Sequence, residues 1–350
     1  MLEFNKEDRM LFTNEIVFRG HPDKVCDQIS DAILDAYLEK DKTSRVAVEV
    51  MGGKSKIYVT GEVSSNASIN IKEVVVRVLQ DVGYELKQEI VVDISEQSGD
   101  IAQGVDGGGA GDNGIMFGYA CNDTPEMLPT AVLILQDLSV WYDERRKEDN
   151  RFLADGKAQL TGEYENGELK RIKKLVICYQ NTEKERATTD EIIRQTVAVI
   201  CYKRGVGYPD EVLINPTGRF ERGGFEADTG LTGRKIVVDS YQGFARVGGG
   251  AFSGKDPTKV DRSGAYKARL IAKRLVEEHK LFWCEVQLAY SIGVEEPLGI
   301  VIFSNAGTIK ADRDLYEECK PKNIIEDLKL REMKFEPLAR FGHFGGESGI

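Results

Sequence analysis

The stretch Ile69-Asn70-Ile71-Lys72-Glu73-Val74-Val75-Val76-Arg77-Val78-Leu79-Gln80-Asp81-Val82-Gly83-Tyr84 reads as a helix stopped by glycine, and the same stop recurs further along. Thr189–Lys203 has the spacing of an amphipathic helix and ends in Gly205-Val206-Gly207-Tyr208. Tyr84 and Tyr208 set a period of roughly 120 residues. Strand patterns precede both helices. Val46–Val50 and Ile57–Val63, joined by Met51–Lys56, read as a hairpin before the first helix, and Leu175–Cys178 reads as a strand before the second. Cys284–Ile292 with Leu298–Phe303 supplies a third, weaker copy. A three-fold internal repeat is the organisation these patterns predict.

Upstream of the first hairpin, Gly20-His21-Pro22-Asp23-Lys24 opens another helix, with Pro22 suited to its first position and Val25, Ile29, Ile33 and Tyr37 at helical spacing. Asp23, Asp27, Asp31 and Asp35 form a second stripe at i, i+4. Like charges so spaced repel unless a cation or basic partner faces them, so the stripe reads as a solvated face. Asp23 stands apart, because it lies beside His21 at a helix N-terminus, where phosphate and Mg²⁺ could meet. Glu49 and Glu62, inside strand patterns, read as pointing to solvent.

Glycine-rich turns punctuate the rest. Gln103–Gly114 reads as a linker or active-site lid, and a helix from about Met127 to Lys147 leads to Asp155-Gly156-Lys157. Asn215–Phe220 and Asp228–Lys235 follow, then Gly248–Arg262, where consecutive glycines would let backbone N–H groups approach an anion. Gly249–Lys255 fits the first places of a P-loop, but Asp256 and Pro257 stand where its Mg²⁺-binding Ser/Thr belongs. Asp256-Pro257 reads as an N-cap and first helical residue, placing Lys255 and Lys259 one turn apart, with Asp261 as an oxygen ligand for a metal. Arg234 with Lys235, Lys255 and Lys259, all embedded in glycine turns, form the basic set expected of a polyphosphate site.

The bulk numbers agree with that reading. Three hundred and fifty residues imply two or three subdomains, and 47 basic against 58 acidic side chains give a net charge of −11, with no basic stripe for nucleic acid. The start, Met1–Asp8, has no apolar signal region and no run reaches membrane-spanning length, so a cytoplasmic protein is expected. Six scattered cysteines with no CxxC pair predict buried thiols, neither a zinc site nor a disulfide framework.

Together, Gly20–Lys24, Gly109–Gly114, Asn215–Phe220, Gly230–Lys235 and Gly248–Arg262 resemble, in order, the motifs of the S-adenosylmethionine synthetase (methionine adenosyltransferase) family, a similarity running from about Leu11 to Phe344. The resemblance implies an α+β fold of three βα subdomains about a pseudo-three-fold axis, interleaved in sequence over segments 1–102, 103–229 and 230–350. It also implies a homotetramer, a dimer of dimers with each active site shared between two chains. Family members join ATP to L-methionine, then hydrolyse the displaced tripolyphosphate, using two Mg²⁺ per site and K⁺.

Residue by residue, the resemblance puts His21 and Lys157 at the bond being broken, and Arg234, Lys235, Lys255 and Lys259 in the phosphate clamp, with Lys259 also near methionine. Asp23 and Asp261 match Mg²⁺ ligands and Glu49 a K⁺ ligand. Glu62, Gln103 and Asp228 would orient methionine, with Ile292 near its side chain. Phe220 would stack on adenine beside Arg219, Ala251 would line the nucleotide site, and Asp155, Glu15 and Asp112 match further active-site positions. For Glu49 and Glu62 this reverses the solvent-facing reading. The sequence departs from the family pattern at Phe18-Arg19, in a shortened lid between Val105 and Gly109, at Leu153-Ala154, Asn181, Phe225-Glu226-Ala227 and Val247. A phosphotransferase and a non-catalytic nucleotide-binding subunit are the competing readings.

Overall fold

The computed structural model describes residues 9–96, 107–165, 167–181, 186–346 and 350. Three stretches of chain repeat one plan: a strand, a long helix, then a hairpin. The first runs β1 (Met10–Val17), α1 (Pro22–Lys40), β2 (Arg45–Gly52), β3 (Lys56–Ser64), α2 (Ile71–Val82) and β4 (Glu89–Ser95). The second runs β5 (Gly114–Cys121), α3 (Thr130–Glu148), β6 (Phe152–Glu165), β7 (Glu168–Asn181), α4 (Arg186–Lys203) and β8 (Glu211–Ile214). The third has β9 (Gly230–Leu231), α5 (Ile236–Asp239), α6 (Val260–His279), β10 (Trp283–Tyr290), β11 (Gly299–Ser304) and β12 (Gly307–Ile309), then α7 (Arg313–Glu318), α8 (Pro321–Asp327) and α9 (Leu338–Phe341).

The Val-Gly-Tyr stops sit at equivalent places, between α2 and β4 and between α4 and β8. Gly83 takes φ +95° to end α2, a conformation that glycine adopts without the Cβ penalty. In both copies the strand after the stop returns parallel to the strand before the helix, β4 beside β3 and β8 beside β7. The third copy lacks that return: β12 folds back antiparallel on β11.

Each stretch lends its first strand to a neighbour. The sheets run β1-β6-β7-β8, β12-β11-β10-β5 and β4-β3-β2-β9, so β1 completes the second sheet, β5 the third, and β9 the first. The exchange is cyclic. This arrangement, three sheets with helices packed on them, agrees with the α+β fold that the resemblance implies. Each long helix then covers the sheet of its own stretch, α1 on β2, α3 on β6 and α6 on β10, with α6 also against the lent β5.

Val25, Ile29 and Ile33 of α1 are fully buried with Val46, Val48 and Val50 of β2, each contributing about 1.5–3 kcal/mol by leaving water. Against the sequence reading, the aspartate stripe of the same helix is buried too: Asp23, Asp27, Asp31 and Asp35 are at most 7 % exposed. Their partners come from distant chain. Asp27 accepts from Gly233 N–H and faces Lys24, Asp31 accepts from Gly254 N–H and the Arg262 guanidinium, and Asp35 accepts from the N–H groups of Phe335 and Glu336. Burial alone would lower the Lys24 pKa, but Asp239 and Asp27 reverse it and hold the ammonium charged. All six cysteines are free, five of them buried and Cys178 half-buried.

Helix and sheet approach closely at Gly118 of β5, where a Cβ would lie 2.0 Å from the backbone of Ala268 in α6. Neither backbone can yield without moving an element. Gly118→Ala is therefore expected to cost about 3 kcal/mol, the upper end for overpacking. Thermal unfolding checks this, and an unchanged Tm would mean that α6 can ride outward.

Candidate active site

The turn from β1 to α1 is where chemistry collects. Pro22 starts the helix, and the half-buried His21 ring accepts the Asp23 N–H at Nδ1 over 3.2 Å, which leaves its proton on Nε2, free to donate. Burial first, then the charge of Lys235 and, more weakly, Lys157, push the His21 pKa down to about 4. His21 is thus a neutral donor beside lysines. The turn is fixed from below by the Tyr84 hydroxyl, which donates to Gly20 O at 2.7 Å.

Asp23 ties the second component to that turn. Its carboxylate accepts from Leu231 N–H at 3.0 Å and from Lys235 Nζ, and Arg234 Nε lies 3.5 Å away. Arg234 remains half-exposed, so its guanidinium is available to an anion. Asp155 lies at the bulge where β6 slips its register against β7, and is buried while Lys157, two residues on, is exposed. Burial raises the Asp155 pKa to about 6, against the N–H groups of Gly224 and Gly156, which favour its charged form. Asp228, exposed, is felt electrostatically by both His21 and Asp155.

The two glycine loops lie end to end along one edge of β2. β9 pairs with Met51 and Gly52, Thr232 N–H donates to Val50 O, Gly254 O accepts from Val48 N–H, and Asp256 N–H donates to Val46 O. A Cβ at Gly233 would strike Ala251, so the loops also touch each other. The expected helix start at Asp256-Pro257 is corrected: α6 begins at Val260, and Lys259 holds the cap position. The Asp256 carboxylate is already occupied by Val46 N–H, Thr258 N–H and Lys259 Nζ, so it stitches the loop to β2 and caps no helix. Lys259 is correspondingly buried against Asp256, whereas Lys255 Nζ bonds Asp261 at 2.6 Å. Gly250 is required here, because a Cβ would overlap the Asp261 carboxylate at 2.1 Å.

Lys255 bridges to Ala47, which pairs with Glu62, and Glu49 lies two residues further along β2. Glu49 is exposed and Glu62 half-exposed. Next to them, Leu231, Met51 and Tyr58 form an exposed apolar row across β9, β2 and β3. His21, Asp23, Asp155, Lys157, Asp228, Arg234 and Lys235 are thus one neighbourhood, and Lys255, Asp261, Glu49 and Glu62 border a second. Asp23 and Asp31, which anchor the two loops, are separated by roughly 12 Å along α1.

The remaining predicted residues lie around these. Asp112 accepts from Asn113 N–H, Asn113 in turn accepts from Ile292 N–H, and Ala110 bridges to the exposed Ile292. Phe220 is half-buried, its carbonyl bonded to Asn181 N–H, and Arg219 is exposed and paired with Glu221. Ala251 is half-buried against Gly233. Glu15 is exposed on β1, opposite Gln159. Gln103 and the lid up to Asp106 lie outside the described residues. Among the family departures, Phe18 stacks on Tyr142 at 4.5 Å, buried Arg19 is paired with Asp81 and Asp143, and Phe225 fills the space above Gly52. Sequence reasoning missed Asp27, Asp31 and Asp256 as supports of the loops. The i, i+4 aspartate spacing was the available signal, since a buried stripe of that kind demands partners.

Among the described residues no cluster of three or more His, Cys, Asp or Glu could enclose a metal ion. The donors present fit Mg²⁺ nonetheless. Asp23 and Asp261 offer hard carboxylate oxygens, each paired with a lysine, Lys235 and Lys255, and Mg²⁺ is commonly held by one or two carboxylates completed by phosphate oxygens and water.

Comparison with known proteins bears on this geometry. The N-terminal, central and C-terminal domain models of the S-adenosylmethionine synthetase family match residues 9–102, 107–220 and 222–349. An S-adenosylmethionine synthase of Clostridium tetani is 43 % identical over 374 aligned positions, covering 96 % of this chain and 94 % of that protein. One from Salinibacter ruber is 42 % identical, covering 96 % and 93 %, and one from Prochlorococcus marinus 40 %, with the same coverage. The chain belongs to the S-adenosylmethionine synthetase family and is an enzyme of that family's reaction, making S-adenosylmethionine from ATP and methionine.

Proposed function

We propose that the methionine sulfur attacks C5′ of ATP directly, and that the displaced tripolyphosphate is hydrolysed to pyrophosphate and phosphate before release. The convergence of a neutral His21 donor with Lys157, Arg234 and Lys235 at the start of α1 carries this reading. A sulfur lone pair forms the S–C5′ bond while the C5′–O pair leaves with the bridging oxygen. Sulfur becomes a sulfonium cation and the triphosphate chain gains one negative charge. A thioether has no proton to remove, so no general base or enzyme nucleophile is needed. The work is alignment and neutralisation of the leaving group. His21 Nε2–H and Lys157 would meet the departing oxygen, and Arg234, Lys235, Lys255 and Lys259 the phosphates.

Two Mg²⁺, held by Asp23 and Asp261, and K⁺ near Glu49 would supply further positive charge to the phosphate oxygens. Glu62, Gln103 and Asp228 would orient methionine beside Ile292 and Lys259. Arg219, Phe220, Ala251 and Asp155 would receive the nucleoside, with Glu15 and Asp112 completing the site. The exposed row Leu231, Met51 and Tyr58 beside Glu49 and Glu62 supports a second copy of the chain on this sheet face, with each site shared across a dimer and two dimers forming a tetramer. A cytoplasmic setting fits ATP chemistry, and among the described residues no helix is long and apolar enough to cross a membrane.

Incubating the purified chain with ATP, methionine, Mg²⁺ and K⁺ is expected to yield the sulfonium product with equimolar pyrophosphate and phosphate. ADP as the main product would indicate a phosphotransferase, unchanged ATP a binding subunit, and free tripolyphosphate would remove the hydrolysis step.

A further inference from the structure

The loop that carries Arg234 and Lys235 is gripped from two sides. Helix α1 holds it through Asp23, which accepts Leu231 N–H at 3.0 Å, through Ser30, whose Oγ is 2.6 Å from Thr232 Oγ1, and through Asp27, which accepts Gly233 N–H at 2.8 Å. Strand β2 holds it through Val50, whose N–H donates to Thr232 Oγ1 at 2.9 Å and whose carbonyl accepts Thr232 N–H at 3.0 Å. At Gly233 the backbone turns with φ +80°, and the next two residues are Arg234 and Lys235. Asp27 is the last anchor before that turn. It is 1 % exposed, so it has no access to a substrate, and its other oxygen lies 3.3 Å from the buried Lys24 ammonium, which also bonds Asp239. The carboxylate is therefore fixed from behind.

We propose that Asp27, aided by Ser30, is a positioning residue for catalysis: it sets the point from which Arg234 and Lys235 reach the polyphosphate and touches no substrate itself. The proposal rests on reading Arg234 and Lys235 as a polyphosphate clamp. A carboxylate acceptor suits the task, because a charge-assisted hydrogen bond to N–H is about twice as strong as a neutral one. Small errors of placement in such a clamp are costly, since displacement by about 1 Å can reduce rates 10²-fold. Asp27→Asn keeps the size of the side chain, removes the charge that Lys24 faces, and weakens the hold on Gly233.

Binding of inorganic tripolyphosphate with Mg²⁺, followed by calorimetry, separates positioning from folding. Asp27→Asn is expected to raise Kd about tenfold with the parent's binding stoichiometry. On an Arg234→Ala/Lys235→Ala background the same change is expected to add less than about twofold, because the groups it places are gone. Ser30→Ala, small and uncharged, is read in the same scheme should Asp27→Asn not give folded protein, with an expected shift of about threefold. A full effect on both backgrounds, an unchanged Kd, or a lowered stoichiometry at unchanged Kd would each overturn the proposal. A parent chain that fails to bind tripolyphosphate would overturn the clamp reading as well, so the two failures are distinguishable.

Discussion

His21→Ala is expected to lower kcat about 10²- to 10³-fold, the usual loss when one donor to a developing negative charge is removed. Stability should fall by only about 1 kcal/mol. The half-buried ring caps α1 by accepting Asp23 N–H at Nδ1, and loss of a side-chain cap typically costs that much. His21→Asn should recover part of the activity, because an amide N–H can stand near the position of Nε2–H. The pH profile offers a separate check. Burial and Lys235 depress the His21 pKa to about 4, so the ring gains its proton only as pH falls through that value. From about pH 6 to 9 it stays neutral, and kcat should show no inflection that His21→Ala removes. A His21→Ala enzyme retaining more than a fifth of parental kcat, roughly, would deny His21 a donor role.

The largest stability effect is expected at Arg262. Its side chain is wholly buried, with Nη2 on Asp31 at 2.5 Å, Nε on Phe252 O at 2.7 Å, and the guanidinium 4.4 Å from the centre of the Phe335 ring. Arg262→Leu strips Asp31 of its counter-charge in a site that water does not reach, leaving Gly254 N–H to support the carboxylate. The loss should be about 3–5 kcal/mol, as for other broken buried pairs. Removing both charges in Arg262→Met/Asp31→Leu should cost less than removing the arginine alone, because no uncompensated ion then remains. Urea unfolding of the three proteins tests the order, and a double variant less stable than Arg262→Leu would show that the pair's charges are not what matters.

Local features were legible in the sequence wherever the signal and its cause lie close together. The Gly83 and Gly205 stops, the hairpin at Met51–Lys56 and the stripe Val25-Ile29-Ile33 each follow from residues a few positions apart, and α2, α4, β2, β3 and α1 are found there. Long-range pairing was hidden. Nothing in Met10–Val17 says that it will lie beside β6, and β9 is only two residues long, too short for any pattern. The aspartate stripe was misread for the same reason, since the N–H that Asp27 accepts comes from a residue 206 positions later. At the helix start, Asp256 looked like a cap because one of the partners competing for its carboxylate, Val46, lies 210 positions upstream. The basic set was visible through its glycine setting, whereas its division into two neighbourhoods along β2 required the fold.

The lending of strands from one stretch to the next bears on how the polypeptide is made. Strand β1 leaves the ribosome early but has no partner until β6 follows, and the first sheet stays open until Gly230 and Leu231 arrive. Nearly two thirds of the chain must be synthesised before any contact closes the ring, so the N-terminal third waits with unpaired edges exposed to neighbouring nascent chains. Such distant pairings are slow to form, and fragments cut at the natural boundaries would each lack a strand that another fragment holds. Mixing those fragments should restore what none can build alone.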